Sequence, residues 1–311
     1  MTWLDNQIKD LEETNSKFKE QISKIKNVQP EIVNNFQEAT PLKLVVLDYY
    51  LKIYSAIISN YIKNNLFFEN MIYVDLFCGS GLDRLKSKND ILIGSPLISI
   101  LNHKSKFNKF FFCDNEESYC NALKSRIQTL NINNVQIYNE DCNEVIDKII
   151  SDLNKFKKPH SFFFIDPFST EFSWNSMIKI LKTYSDVLFT FMTPAINRIR
   201  DAAFAQPHNK TEVLDKFFGD KSWNDSSKDI VEIYKENILK VRGKALIESV
   251  RIADYYDLIF ITNKTKKENQ WMRGIIKAKK EIEANSKQAV KITLDKLKRG
   301  QKDLNSFYAT N

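Results

Sequence analysis

Four apolar runs of strand length in this chain each end at, or just before, an aspartate. Met71–Leu76 carries Asp75, Lys109–Cys113 leads to Asp114, Val135–Tyr138 precedes Asp141, and Ser161–Ile165 meets Asp166. Short, nearly continuous apolar runs are typical of strands buried on both faces, and such strands belong to parallel sheets covered by helices. Open sheets of that kind bind ligands outside the carboxyl ends of their strands. The first run continues into Phe77-Cys78-Gly79-Ser80-Gly81. Glycines two apart let the backbone turn through positive φ and approach a ligand closely.

Between and after these runs the pattern changes to helical spacing. Gly94-Ser95-Pro96 opens a helix, with Ser95 as its cap and Pro96 in the first position. Further helices are expected around Ser118–Leu130, Asn143–Phe156 and Trp174–Thr183, and from Ala202 onward, with Asp83 to Asp90 as a polar loop. Val187–Phe191, Ala245–Ile252 and Leu258–Thr262 complete the strands. Five strand–helix units demand a parallel sheet with right-handed crossovers. The link Ala253–Asp257 is too short for a crossover helix, so the final strand pair is antiparallel. The expected fold is therefore α/β: a mostly parallel seven-stranded sheet with an antiparallel last strand. This is the Rossmann-like architecture usual for class I S-adenosylmethionine-dependent methyltransferases.

Helical segments flank this domain. Residues 1–66 form an N-terminal extension, 67–263 the α/β domain, and 264–311 a basic C-terminal segment. Leu4, Ile8, Leu11, Asn15, Phe18, Ile22 and Ile25 follow a heptad, with Asn15 at an a position. That seam either pairs with a second copy as a homodimer or lies against its own domain. Pro30 ends it, and Thr40-Pro41 reads as the cap and first residue of the next helix. The chain has 46 Lys/Arg against 39 Asp/Glu; Lys264–Asp303 holds 13 against 5, leaving 33 against 34 elsewhere. A positive excess confined to one segment is a nucleic-acid footprint or a solvated lysine face. Trp271 and Arg273 within it would stack a base or anchor the helix. Met1–Asp5 does not read as a signal peptide, and no apolar run reaches membrane-span length. Cys78, Cys113, Cys120 and Cys142 form no C-x-x-C pair and read as reduced thiols of a cytoplasmic protein.

The strand ends suggest specific chemistry. Asp75 with Phe77, Gly79 and Gly81 would cradle the amino-acid part of S-adenosylmethionine, Asp114 would accept its ribose hydroxyls, and Asp141 its adenine amino group. Asp166-Pro167-Phe168 resembles the turn with which N-methyltransferases of bases and amides hold a target amine, although the second proline of that turn is missing. There a carboxylate accepts the amine's hydrogen bonds and an aromatic ring stacks on the planar acceptor. Arg198 and Arg200 would contact a phosphate or substrate carboxylate. The Asp75–Gly79 turn is similar to that of cytosine-C5 methyltransferases, but those need a cysteine nucleophile after proline, and no proline here precedes a cysteine. His103, His160 and His208 show no metal-ligand spacing.

Taken together these segments resemble the three-Cys-motif partner family, TcmP. The matching pieces are Asp75–Gly81, Gly94–Leu97, Phe112–Asp114, Glu140–Asn143 and Phe163–Phe168, with Phe191, Pro194, Arg198 and Tyr255–Asn263, covering roughly 40–265. The resemblance implies a methyltransferase-like fold, S-adenosylmethionine as cofactor, and a genomically linked radical-enzyme-like partner that carries the three cysteines. Ser169 stands where the family usually has glycine after the Asp-Pro-Phe turn. Two functions follow: transfer to a nitrogen of nucleic acid or of a partner protein, or a transfer-inactive protein that binds nucleic acid or a partner.

Overall fold

The computed structural model of the protein describes residues 2–85, 91–206, 211–264 and 272–296. Trp271, His208, Leu297 and part of the Asp83–Asp90 loop lie outside them. The chain begins with α1 (Trp3–Lys17), α2 (Lys19–Lys26), β1 (Asn34–Phe36) and α3 (Thr40–Lys63). It continues with β2 (Asn70–Asp75), β3 (Leu82–Leu85), β4 (Ile91–Ile93), α4 (Ser95–His103), β5 (Lys109–Asp114) and α5 (Glu117–Gln128). Next come β6 (Val135–Asn139), α6 (Cys142–Leu153), β7 (Pro159–Ile165), α7 (Trp174–Leu181) and β8 (Ser185–Phe191). After α8 (Thr193–Ala205), α9 (Thr211–Phe218) and α10 (Ile230–Val241), β9 (Ala245–Ile252), β10 (Tyr256–Asn263) and α11 (Met272–Ala284) end the sequence of elements, with more helix over 286–296.

Seven strands form the main sheet in the order β6-β5-β2-β7-β8-β10-β9. The β2–β5, β2–β7, β5–β6 and β7–β8 pairs are parallel, whereas β10 runs antiparallel to both β8 and β9. The strand order reverses at β2, and the last strand is inserted antiparallel before the edge. This is the class I methyltransferase fold. Period-two alternation splits each central strand between two apolar layers. Tyr73, Phe110, Phe112, Phe162 and Phe164 face α1 to α5 and α11; Ile72, Val74, Phe111, Phe163 and Ile165 face α6 to α10.

The structure departs from the sequence pattern at three places. The expected loop after the glycine turn is partly a hairpin: β3 and β4 pair antiparallel, and β1 joins them in parallel through Asn34↔Asp83, forming a second, three-stranded sheet. Ser95 is not a cap, because α4 starts at Ser95 behind Gly94. Thr40 likewise is the first residue of α3 behind Ala39, which puts Pro41 second, where its missing N–H costs nothing.

The N-terminal seam is interrupted at Phe18, and Leu4, Ile8, Leu11, Ile22 and Ile25 are buried in the same layer as α3 and α4. Most of the apolar residues a dimer seam would use are thereby spent within the chain. Asn15 is only half-buried. The terminal segments also meet each other: Glu281 of α11 accepts the Trp3 and Leu4 N–H groups at 3.0 and 2.9 Å, capping α1 from the far end of the sequence. No described helix is long and apolar enough to cross a membrane.

Candidate active site

The aspartates of the strand ends share the carboxyl edge of the sheet, but they do different jobs. Asp75 is fully buried at the end of β2. Ser95 Oγ donates to its Oδ2 at 2.7 Å and Phe77 N–H to its Oδ1 at 3.3 Å. The carboxylate thus ties the first turn of α4 to the glycine turn and is not presented to a ligand. Burial pushes its carboxyl up to about 7, against the pull of these hydrogen bonds.

Asp114, at the end of β5, is half-buried and braces the turn from the other side. Its Oδ2 accepts Gly79 N–H at 2.8 Å and its Oδ1 accepts Glu116 N–H at 3.0 Å; burial raises its pKa. Each oxygen keeps a second lone pair for a hydroxyl donor. Asp141 is the exposed N-cap of α6, accepting Asn143 N–H at 2.7 Å. Phe77 is half-buried against Phe172, with ring centroids 6.5 Å apart.

Gly79 and Gly81 sit at φ +57° and +80°, as the paired glycines predict. The space a Gly79 side chain would take is filled by Asn34, whose Cγ lies 2.8 Å from the position of that missing Cβ. Asn34 Oδ1 accepts Ser80 N–H at 2.8 Å. Arg126 secures this arrangement. Fully buried, its guanidinium donates to the carbonyls of Ser80, Val28, Gln29 and Ile32 at 2.6–3.2 Å, fastening the segment before β1 to the turn. Sequence reading missed both residues. Asn34 stands outside any apolar period, and a helical arginine looks like surface.

The Asp166-Pro167-Phe168 turn follows β7. Lys43, in the first turns of α3 and 8% exposed, reaches both Asp166 oxygens at 2.7 and 2.6 Å. Its ammonium also lies 5.4 Å from the centre of the Tyr256 ring. Pro167 is buried, while Phe168 is 78% exposed. Phe168 is therefore not a core residue. Lys43 could not have been found from the sequence, since a lysine inside Pro41–Leu47 reads as a break in an apolar stripe.

The two arginines separate. Arg200 is buried and donates to the carbonyls of Trp223 and Lys228, at 2.8 and 3.4 Å, and of Asp225, so it organises the chain after α9 and is not available to a substrate. Arg198, on the same helix, is exposed. His103 and His160 are buried against α3, bonded to Asp48 and Tyr54. Burial pushes all four cysteine thiols up, so none is an activated nucleophile.

No family model matches the chain, and no curated protein does. Among solved structures it is similar to a ribosomal protein L11 methylase from Lactobacillus delbrueckii subsp. bulgaricus: 11% identity over 66% of this chain and 75% of that one, TM-score 0.30. A putative methyltransferase from Streptococcus mutans, solved with SAH, shares 12% identity over 67% and 97%, TM-score 0.32. An rRNA methylase from Streptococcus thermophilus shares 12% over 66% and 94%, TM-score 0.33. Likenesses this distant carry no argument about chemistry, and the fold assignment rests on strand order and direction.

Proposed function

We propose that this chain is an S-adenosylmethionine-dependent methyltransferase, related to the three-Cys-motif partner proteins, that transfers to a nitrogen of nucleic acid or of a partner protein. The observation that carries the reading is the pairing of two features at one sheet edge. A glycine turn braced by Asp114 stands beside an Asp-Pro-Phe turn whose carboxylate is fixed and whose aromatic ring is exposed. Asp114 and Asp141 would receive the hydroxyl and amino hydrogens of the nucleoside through their unused lone pairs. Once bound, the cofactor supplies a methyl group on a sulfonium.

The chain's residues do the positioning. Lys43 uses one lone pair on each Asp166 oxygen, which leaves one on each for the N–H groups of an acceptor amine. Buried Pro167 fixes the turn, and Phe168 offers a flat apolar face to a planar acceptor. Orientation and hydrogen-bond acceptance suffice for direct displacement, without a covalent intermediate. The exposed cations Arg273, Lys277, Lys280 and Lys291 are the surface we assign to nucleic acid. The linked three-Cys protein is the alternative acceptor.

A second reading is favoured by one observation: both Asp166 oxygens already hold Lys43, as they would in a protein that has kept the fold and lost transfer. Calorimetry with S-adenosylhomocysteine tests the cofactor, and no binding at millimolar ligand refutes it. Asp114→Ala should weaken binding by about 1–3 kcal/mol if its hydrogen bonds to the ribose form. Mass spectrometry of host DNA, RNA and the linked protein, with and without this chain, separates the active reading from the silent one.

A further inference from the structure

We propose that the amino edge of the main sheet, opposite the aspartates, is a platform for single-stranded nucleic acid. Bases stack there on Phe67 and Tyr184, and lysines on either side hold the phosphates. The platform does not depend on the methyl-donor reading, and it uses residues outside the α11 stripe.

The charge of this edge is one-sided. The segments 64–69, 104–108, 129–134, 154–158, 182–184 and 242–244 lead into β2, β5, β6, β7, β8 and β9, which run parallel, so all six lie at the same edge. Together they carry seven lysines, every one exposed, and a single acid, Glu69. That acid is shared by Lys157 and Lys158, each with its Nζ 3.0 Å away. Asp75, Asp114, Asp141 and Asp166 stand at the other edge, so the domain is acidic where it would hold a cofactor and basic on the far side.

Three large apolar side chains interrupt the lysines. Leu66, Phe67 and Tyr184 are 52%, 50% and 56% exposed, although each belongs to an ordered loop. The Phe67 and Tyr184 rings meet edge to face with centroids 5.1 Å apart, over Phe68, which packs on buried His160 at 4.5 Å. The base beneath them is laced together. Tyr184 O accepts Ser161 N–H at 3.0 Å, Lys158 O accepts Glu69 N–H at 3.1 Å, and Lys157 O accepts Asn70 Nδ2 at 2.8 Å. Buried Arg242 donates to the carbonyls of Leu181, Thr183 and Ser185 at 2.8–3.0 Å, which fixes the loop that carries Tyr184. Half-exposed rings held on a rigid base are pre-organised to stack.

The order of strands turns these residues into a track. From β5 to β9 the edge presents Lys104 and Lys106, then Leu66 and Phe67, then Lys157 and Lys158, then Lys182 and Tyr184, then Lys244. At about 4.8 Å per strand this row is about 24 Å long. A row of cations broken by aromatic rings fits a linear polyanion with flat, apolar bases. The bases must be unpaired, because a ring reaches a base face only where the stack is open.

Fluorescence anisotropy with labelled single-stranded DNA and RNA of about twelve nucleotides, and with a duplex of the same length, tests the platform. Phe67→Ala with Tyr184→Ala should weaken both single strands at least tenfold and the duplex less than twofold. Lys104→Gln, Lys106→Gln and Lys182→Gln together should flatten the single-strand slope of log affinity against log salt by about 2.1, at 0.7 per phosphate. Glu69→Gln frees two lysines and should tighten single-strand binding. Unfolding midpoints identify any variant that is not folded; the lysine and Glu69 variants change only surface charge and decide the matter if the double alanine variant fails. No single-strand binding by the wild-type chain, equal losses for single strand and duplex, or binding unmoved by the lysine set would overturn the proposal. So would ring-dependent binding to phosphatidylserine vesicles with oligonucleotide binding unchanged, which would make the edge a lipid contact.

Discussion

The Lys43 ammonium is shared between the two carboxylate oxygens of Asp166, at 2.7 and 2.6 Å, across 123 residues of sequence. The pair joins the start of α3 to the end of β7, and both side chains are mostly shielded, with 10% and 22% of their surface accessible. Removing one partner leaves an uncompensated charge. Lys43→Met should therefore destabilise the protein by about 3 kcal/mol, toward the lower end for a buried pair because some water reaches Asp166. Lys43→Met with Asp166→Leu should recover most of that loss. Urea unfolding of the four proteins measures the cycle, and an unchanged midpoint in Lys43→Met would mean the pair carries no weight.

Phe168 should separate function from folding. At 78% exposure it contributes little buried area, so Phe168→Ala should change stability by no more than about 0.5 kcal/mol. Loss of stacking should still reduce transfer to a planar acceptor, or binding of it. A melting temperature several degrees lower would show instead that the ring packs on the domain.

Asp75 sets a pH dependence. Its carboxyl, ordinarily near 3.8, is raised to about 7 by burial. Below 3.8 the folded and unfolded chains both hold the proton; between 3.8 and about 7 the unfolded chain releases it while the folded one retains it. The folded state then binds more protons, so stability falls as pH rises through that window and this contribution levels off above it. At about 1.4 kcal/mol per pH unit, the loss is on the order of 4 kcal/mol. Asp83, raised similarly by burial, adds a loss of the same sign. Asp75→Asn should flatten the slope in denaturant unfolding between pH 4 and 7. A slope identical to wild type would assign the dependence elsewhere.

The basic stripe of α11 and residues 286–296 gives an electrostatic prediction. Lys277, Lys280 and Lys291 are exposed, whereas Lys279 is half-buried and 3.6 Å from Glu248. Replacing the three exposed lysines by glutamine should flatten the slope of log affinity against log salt by about 2.7 on duplex DNA, at 0.9 per phosphate contact. It should weaken all sequences alike. Fluorescence anisotropy with a labelled duplex between low and physiological salt reads this directly. Salt-independent binding, or a variant that binds as the parent does, would leave the stripe as a solvated face.

The sequence by itself determined the sheet. All seven strands of the main sheet lie where the strand pattern places them; the inner ones are legible because a strand buried on both faces needs a continuous apolar run, whereas the edge strands β6 and β9 are half-buried along much of their length. The short Ala253–Asp257 link fixed the direction of the last strand, since five residues cannot carry a crossover. The paired glycines announced their positive φ. Only the tertiary structure decided what the polar side chains do. Asp75 and Asp114 look equivalent in sequence, yet one is sealed under Ser95 and the other braces Gly79 N–H with lone pairs to spare. Arg200 and Arg198 are two residues apart, and one is a buried clamp while the other faces solvent. Lys43, Asn34 and Arg126 gave no local signal at all. Their partners lie 46 to 123 residues away, and hydrogen bonds and ion pairs depend on distance and angle in space, which no periodicity along the chain encodes.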